Sequence, residues 1–361
     1  MMFRFRNKET GDRIIKQLKD MNLNIQLMHV CGTHQDTLVR YGLDTRFREC
    51  GVNIRQGPGC PVCVTTAMEY EEAISLARRG VIITTFGDAS KVPGLDNSLL
   101  GLRAEGHDVR IVYSIDDAVK IAKKTEKTVV FLGVGFETTA PSTAISILKG
   151  LPENFSILSC HRYVPPALNA LLGMGEVKLQ GLIEPGHVST IIGVKPYEQI
   201  STQYHIPQVI AGFEPLDMLM AVYMLALQIR KGEARVENEY SRAVNYEGNV
   251  RALKALDEVF EPFDVDWRGF PVIRGSGMKI RDKYETQDAR KVHEECLREI
   301  SHKAFEEPHG CRCGEVLRGI TDSKDCPHFG TNCIPIHPIG PCMVSVEGSC
   351  NIEYRYNKVH V

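Results

Sequence analysis

The chain is 361 residues long, 43% apolar and 24% charged, with a formal net charge of −2. That length exceeds a single ordinary hydrophobic core and fits two or three domains, and the near-neutral charge gives no electrostatic reason to expect nucleic acid or anionic lipid as a partner. The longest apolar run, Leu216 to Ile229, is broken by Asp217 and Gln228 and is too short to span a bilayer. With no charged-then-apolar leader in view, a cytoplasmic protein without a membrane partner is expected.

In chain order, an amphipathic helix near Thr10 to Met21 comes first. Beyond it a pattern repeats, in which a short apolar run gives way to a glycine-rich or polar break and then a helix. Strands are predicted at Ile25–Val30, Val52–Gln56, Val81–Phe86, Val109–Tyr113, Thr128–Leu132, Ser156–Ser159, Leu179–Ile183 and Gln208–Ala211. They are rich in Val, Ile and Leu and mostly continuous rather than alternating, as strands covered on both faces are. Between them fall helices at Ala67–Arg79, Ile115–Lys124, with Ser114 as N-cap, Thr139–Leu148 and Leu216–Lys231. Such alternation means parallel α/β sheets. The expected division is an N-terminal helix over 1–22 packing with the C-terminal region, a first α/β domain over 23–127, a second over 128–229, the two facing a central cleft, and a helical and cysteine-rich region over 230–361. Helices are expected there at Tyr240–Phe260 and Asp288–Phe305.

The breaks at the strand ends carry the chemistry. They read Cys31-Gly-Thr-His34, Gly57-Pro-Gly-Cys60-Pro-Val-Cys63, Gly135-Phe-Glu137-Thr-Thr139, Pro185-Gly-His187-Val-Ser189 and Gly212-Phe-Glu214-Pro215. The carboxyl ends of strands in an open parallel sheet form the ligand crevice, so these breaks should share one cleft. Cys60 and Cys63 form a Cys-x-x-Cys at a strand-to-helix turn, a redox-competent dithiol whose first sulfur lies near unpaired N–H groups. Cys31 ends a strand, and at the mouth of a following helix it would be a stabilised thiolate, with the His34 imidazole as second ligand or proton relay. Glu137, Glu214 and His187 are candidates to hold a metal, move protons or grip a partner; a glutamate in a first helical turn is equally a cap. Cys50, Cys160 and Cys296 have no such setting and read as structural.

Six of the twelve cysteines fall in forty residues at the tail: Cys311, Cys313, Cys326, Cys333, Cys342 and Cys350. Gly310, Pro327, Gly330, Pro335, Pro338, Gly340 and Pro341 interrupt them, so regular structure is sparse and a cross-link is needed. Zinc sites favour two tight Cys pairs, and only Cys311 and Cys313 are close. Permanent disulfides suit short secreted chains. An iron–sulfur cluster takes four thiolates, often with a proline beside a ligand. Spacing alone leaves all three open.

Taken together and in this order, the five breaks and the cysteine tail resemble the HypD family of nickel–iron hydrogenase maturation proteins over nearly the whole length. The resemblance implies a metallocentre assembly scaffold with redox capability rather than an enzyme with turnover. On it, iron bearing two cyanides and one carbon monoxide is assembled with the small chaperone HypC, cyanide arriving from HypE with HypF upstream. It implies Cys31 as the iron-holding thiolate with His34 beside it, and Cys60 with Cys63 as a dithiol between that iron and a 4Fe–4S cluster, as in ferredoxin:thioredoxin reductase. The cluster ligands it implies are Cys311, Cys326, Cys333 and Cys350, leaving Cys313 and Cys342 as a second redox pair. Some members carry a second histidine where this chain has Asp36, so a two-histidine relay is not implied here. The alternative readings are an iron–sulfur thiol–disulfide oxidoreductase acting on a protein substrate, which needs Cys60 and Cys63 but not Cys31, and a zinc-stabilised interaction module.

Overall fold

Short runs of Val, Ile and Leu that must be covered on both faces pair with one another in parallel, because each is followed by a helix that returns the chain to the same sheet edge. The structure, a computed structural model, describes residues 7–356; the first six residues of the segment 1–22 and the last five of 230–361 lie outside the described residues. The strands are β1 (Ile25–His29), β2 (Val52–Gln56), β3 (Ile82–Thr85), β4 (Val109–Ile111), β5 (Val129–Gly135), β6 (Phe155–His161), β7 (Gly181–Pro185), β8 (Gln208–Ala211), β9 (Val236–Asn238), β10 (Phe260–Asp266) and β11 (Val272–Ile280).

Two parallel sheets result. The first has the order β2-β1-β7-β8-β9 and the second β4-β3-β5-β6. The chain therefore starts the first sheet, builds the whole of the second, and returns to finish the first. The expected boundary at 127/128 falls inside the second sheet, between β4 and β5, and the unit 23–127 gives two strands to each sheet. Every strand-plus-helix unit has the same pattern of apolar residues, so nothing local marks which sheet a strand joins. In the second sheet β3, β5 and β6 are buried along their whole length, as are β7 and β8 in the first. Each fully covered Leu, Ile or Val there contributes roughly 1.5–3 kcal/mol.

The N-terminal helix, Lys8–Asp20, lays Ile14, Ile15 and Leu18 against Leu219, Val222 and Leu225 of the helix Pro215–Lys231. It covers the first sheet, where packing with the C-terminal region was expected. The antiparallel hairpin β10–β11 packs on β6, and the buried pair Arg162–Glu69, 2.5 Å apart, ties the end of β6 to the helix Ala67–Arg78. The cysteine-rich tail packs on the helices that follow β1 and β2: its helix Ser349–Tyr356 lies on Gly32–Arg40, and Pro341–Val344 lies on Pro61–Val64. No helix among the described residues is long and apolar enough to cross a membrane.

Candidate functional site

At the carboxyl end of β1 the backbone stays extended through Cys31, which caps the helix Gly32–Arg40. The Gly57-Pro-Gly59 loop lies on it so closely that a Cβ at Gly59 would stand 2.3 Å from the Cys31 nitrogen. From the other side the tail arrives, with the Glu347 backbone against Gly32. Three segments separate in sequence thus meet around Cys31. They line a cavity of 260 Å³ with Val30, Cys31, Thr33, Pro61, Phe136, Thr138, His187 and Glu347 among its walls.

Burial is the main influence on the Cys31 thiol and, with the Glu347 carboxylate, raises its pKa to about 11; the backbone N–H groups of His34 and Thr33 and the Thr33 hydroxyl oppose them. The expected thiolate is therefore a thiol in the protein alone, because desolvation outweighs the helix terminus. A bound metal ion would reverse that order, since thiolate ligation displaces the proton.

Two imidazoles lie on the elements that meet at Cys31, one at the end of β1 and one in the first turn of the helix Gly32–Arg40. His34 is fully buried, and its Nε2 donates to the carbonyls of Ala211 (3.2 Å) and Gly212 (3.0 Å), which fixes the proton on that nitrogen. Nδ1 carries the lone pair and has no partner among the described residues. His29 sits at the end of β1; its Nε2 donates to Gln35, which in turn donates to Glu353, and its Nδ1 accepts from the Cys31 N–H at 3.5 Å. Burial lowers both, to about 4 for His29 and about 3 for His34, so both rings are neutral. Phe213 packs between His34 and His187, with centroids 5.1 and 3.8 Å away.

Directly behind the cavity, Cys60 and Cys63 are joined as a disulfide and fully buried. Cys60 caps a single helical turn, Pro61–Val64, and its sulfur accepts the Cys63 N–H at 3.2 Å. The Cys63 sulfur in turn reaches the Pro341 carbonyl at 3.8 Å. Pro341 precedes Cys342, whose sulfur is 2.8 Å from that of Cys313. All six tail cysteines line one narrow cavity, closed otherwise by Val316, Phe329, Gly340 and Met343. Among the described residues no three His, Cys, Asp or Glu side chains stand ready as a metal cage. The donor set is nevertheless sulfur alone in an apolar shell, which fits a soft metal or an iron–sulfur centre and no hard cation. Burial pushes the Cys311 thiol up to about 12, while a hydrogen bond from Cys342, helped by Ser323, holds Cys350 below the usual thiol range.

The other sequence candidates divide. His187 lines the Cys31 cavity. Glu137 does not; its neighbours Phe136 and Thr138 do, while its own Oε1 turns inward to accept from the Val164 N–H at 2.9 Å, and burial raises its pKa to about 8. Glu214 caps the helix Pro215–Lys231 in a reciprocal box with Asp217, and it is Phe213 beside it that meets the histidines. Cys50 and Cys160 are buried and line neither cavity, Cys50 against the Ile15 carbonyl and Cys160 against the Arg290 guanidinium. Sequence reading missed His29, Phe213 and Glu347. His29 had one visible signal, a histidine in an otherwise apolar strand two residues before Cys31.

These features define a parallel α/β scaffold with a thiol at its cleft and a buried line of sulfur behind it. The HypD family model, described as the hydrogenase formation hypA family, matches residues 7–357. A putative hydrogenase expression/formation protein of Methanocaldococcus jannaschii is 49% identical, over 98% of this chain and 97% of its own. The hydrogenase maturation factors HypD2 of Bradyrhizobium diazoefficiens and HypD of Cupriavidus necator are 40% and 39% identical, each over 98% of this chain and 96% of theirs. The chain belongs to the HypD family of hydrogenase maturation factors.

Proposed function

We propose that the protein is the scaffold on which an iron ion acquires two cyanides and one carbon monoxide before delivery to a nickel–iron hydrogenase. The observation that carries this reading is the series of sulfur groups: Cys31 at an open cavity, Cys60 and Cys63 behind it, and six thiols beyond, with the Gly59–Cys31 backbone contact and the Cys63 sulfur–Pro341 carbonyl contact joining each to the next. Cys31 holds the cargo iron as its thiolate, a soft ligand suited to an iron made low-spin by cyanide and carbon monoxide. The N–H groups of Thr33 and His34 steady the charge on that sulfur, and the neutral His34 ring offers its Nδ1 lone pair as a hydrogen-bond acceptor. Phe136 and Val188 make the cavity wall apolar, which limits exchange of the ligands with water.

Cys311, Cys326, Cys333 and Cys350 would hold a 4Fe–4S cluster, which when bound supplies electrons one at a time. Cys60 and Cys63 exchange electrons in pairs as they pass between disulfide and dithiol, and Cys313 with Cys342 forms a second such pair. The partners in this reading are the chaperone HypC at the cavity mouth and HypE, with HypF upstream, as the source of cyanide; the compartment is the cytoplasm. Complete burial of Cys60 and Cys63 weighs against thiol–disulfide exchange with a protein substrate, whose attacking sulfur must reach one of them.

Replacing Cys31 by alanine tests the reading. The iron-bound cyanide and carbon monoxide infrared bands should vanish from the isolated complex while the cluster's visible absorption stays. Bands of full intensity in Cys31→Ala would refute the assignment, and a reductase activity that survives the change would favour the oxidoreductase instead.

A further inference from the structure

The side chains of His29, Gln35 and Glu353 form a chain of hydrogen bonds that can run in only one sense. The tail helix Ser349–Tyr356 brings Glu353 to Gln35, whose Nε2 donates to the Glu353 Oε1 at 2.9 Å. The Gln35 Oε1 lies 2.8 Å from the His29 Nε2. A carboxylate only accepts hydrogen bonds, whereas a carboxamide and a neutral imidazole can each face either way. Glu353 therefore sets the direction for the other two. It takes the NH2 end of the Gln35 amide, which turns the carbonyl end towards His29 and places the ring proton on Nε2. The lone pair is left on Nδ1, facing the Cys31 N–H at 3.5 Å.

The opposite tautomer would set Nδ1–H against the Cys31 N–H, two donors face to face around a completely buried ring. Buried donors without acceptors are costly, so the end of β1 would have to move, and Cys31 with it. Gln35 alone would not prevent this, because its amide can turn over. What removes the choice is Glu353, which stands three residues after Cys350 in the tail. Neither Gln35 nor Glu353 lines the Cys31 cavity, so both act on it through His29.

We propose that Glu353 and Gln35 are positioning residues that hold His29 in its Nε2–H form, and so keep the end of β1 and Cys31 in place for iron only while the tail helix is docked. The proposal rests on the reading of Cys31 as the iron-holding sulfur. It adds an order of events to that reading: the tail that carries the candidate cluster ligands seats first, and iron loading at Cys31 follows.

Nitrogen-15 NMR of the full-length protein, labelled in its imidazole rings, reads the tautomer; the His29 signals are assigned by their absence from His29→Gln. Infrared spectra of the isolated complex read the iron site. Wild type should show a protonated Nε2 and an unprotonated Nδ1. Glu353→Gln, which donates as readily as it accepts, should give mixed tautomers and lower the iron-bound cyanide bands about fivefold, the worth of one average hydrogen bond. Exchanging the two side chains, Gln35→Glu together with Glu353→Gln, sets the acceptor-only group beside His29 and should restore both readings. A loss of packing alone would not be repaired by that exchange. An unchanged tautomer in Glu353→Gln overturns the relay. Mixed tautomers with undiminished bands, or bands that the exchange leaves low, overturn its role at Cys31. Absence of the bands from wild type overturns the reading of Cys31 itself, while the tautomer still decides the relay.

Discussion

Replacing Gly59 by alanine would put a methyl carbon 2.3 Å from both the Cys31 nitrogen and the Val30 carbonyl carbon. Ordinary contact begins near ~3.5 Å, so the Gly57–Gly59 loop and the end of β1 must separate by about 1 Å. Both neighbours are backbone, and neither can rotate aside. Overpacking of this kind costs about 1–3 kcal/mol, and at about 2 °C per kcal/mol for a chain of this size the unfolding midpoint should fall by roughly 2–6 °C. The functional loss should be larger. The loop carries Cys60, and a displacement near 1 Å at a reacting centre can cost ~100-fold. Calorimetry gives the first quantity, and the intensity of the iron-bound cyanide bands after loading gives the second. Gly87→Ala is the control, since its Cβ would meet only the Ile111 side chain at an ordinary 3.6 Å. A Gly59→Ala protein with an unchanged midpoint and full bands would refute the close apposition of the two loops.

Three further outcomes stem from buried charge. Glu184 has no partner for either carboxylate oxygen among the described residues, and burial raises its pKa to about 8. Its stabilising contribution is complete below the ordinary value of 4.5 and is lost as pH rises towards 8. Glu184→Gln should therefore match wild type in urea unfolding at pH 4.5 and exceed it at pH 8, by at most about 5 kcal/mol; equal stability at both would contradict the burial of an uncompensated carboxyl. His29 and His34 run the other way: held neutral, they contribute stability above 6.5 that is lost as pH falls towards about 4 and about 3. Acid unfolding should thus take up about two more protons in wild type than in a double His→Asn variant. Finally, Glu69→Ala leaves Arg162 charged and buried, and should cost about 3–5 kcal/mol in denaturant unfolding.

Strand positions were legible because burial on both faces leaves continuous apolar runs, and β1, β2 and β8 begin at the expected residues. The expected helix Tyr240–Phe260 is only Val250–Val259, and the chain then turns into the hairpin β10–β11. The alternation in Phe260-Glu-Pro-Phe-Asp-Val-Asp266 is a two-residue strand period, hidden at its start by the amphipathic helix that runs straight into it. Asp288–Phe305 breaks at His293 into Ala289–Val292 and Glu294–Ser301. Within the site, Cys31 and the Cys60–Cys63 turn declare themselves by residue type and setting. Glu347 does not, because it reaches the cavity from the tail, more than three hundred residues after Cys31. Parallel sheets whose strands interleave hide such neighbours, since no local period encodes a contact made across the cleft.

If one thiol grips a carbonyl- and cyanide-bearing iron while a separate sulfur cage handles electrons, both metals must be countable in one preparation. Iron and acid-labile sulfide content of the anaerobically purified protein, measured on the same sample as its infrared spectrum, is the most direct test. About four sulfides per chain, iron in excess of sulfide, and cyanide and carbon monoxide bands in proportion to that excess are expected. Zinc without sulfide, or iron equal to sulfide with no bands in any preparation, would contradict it.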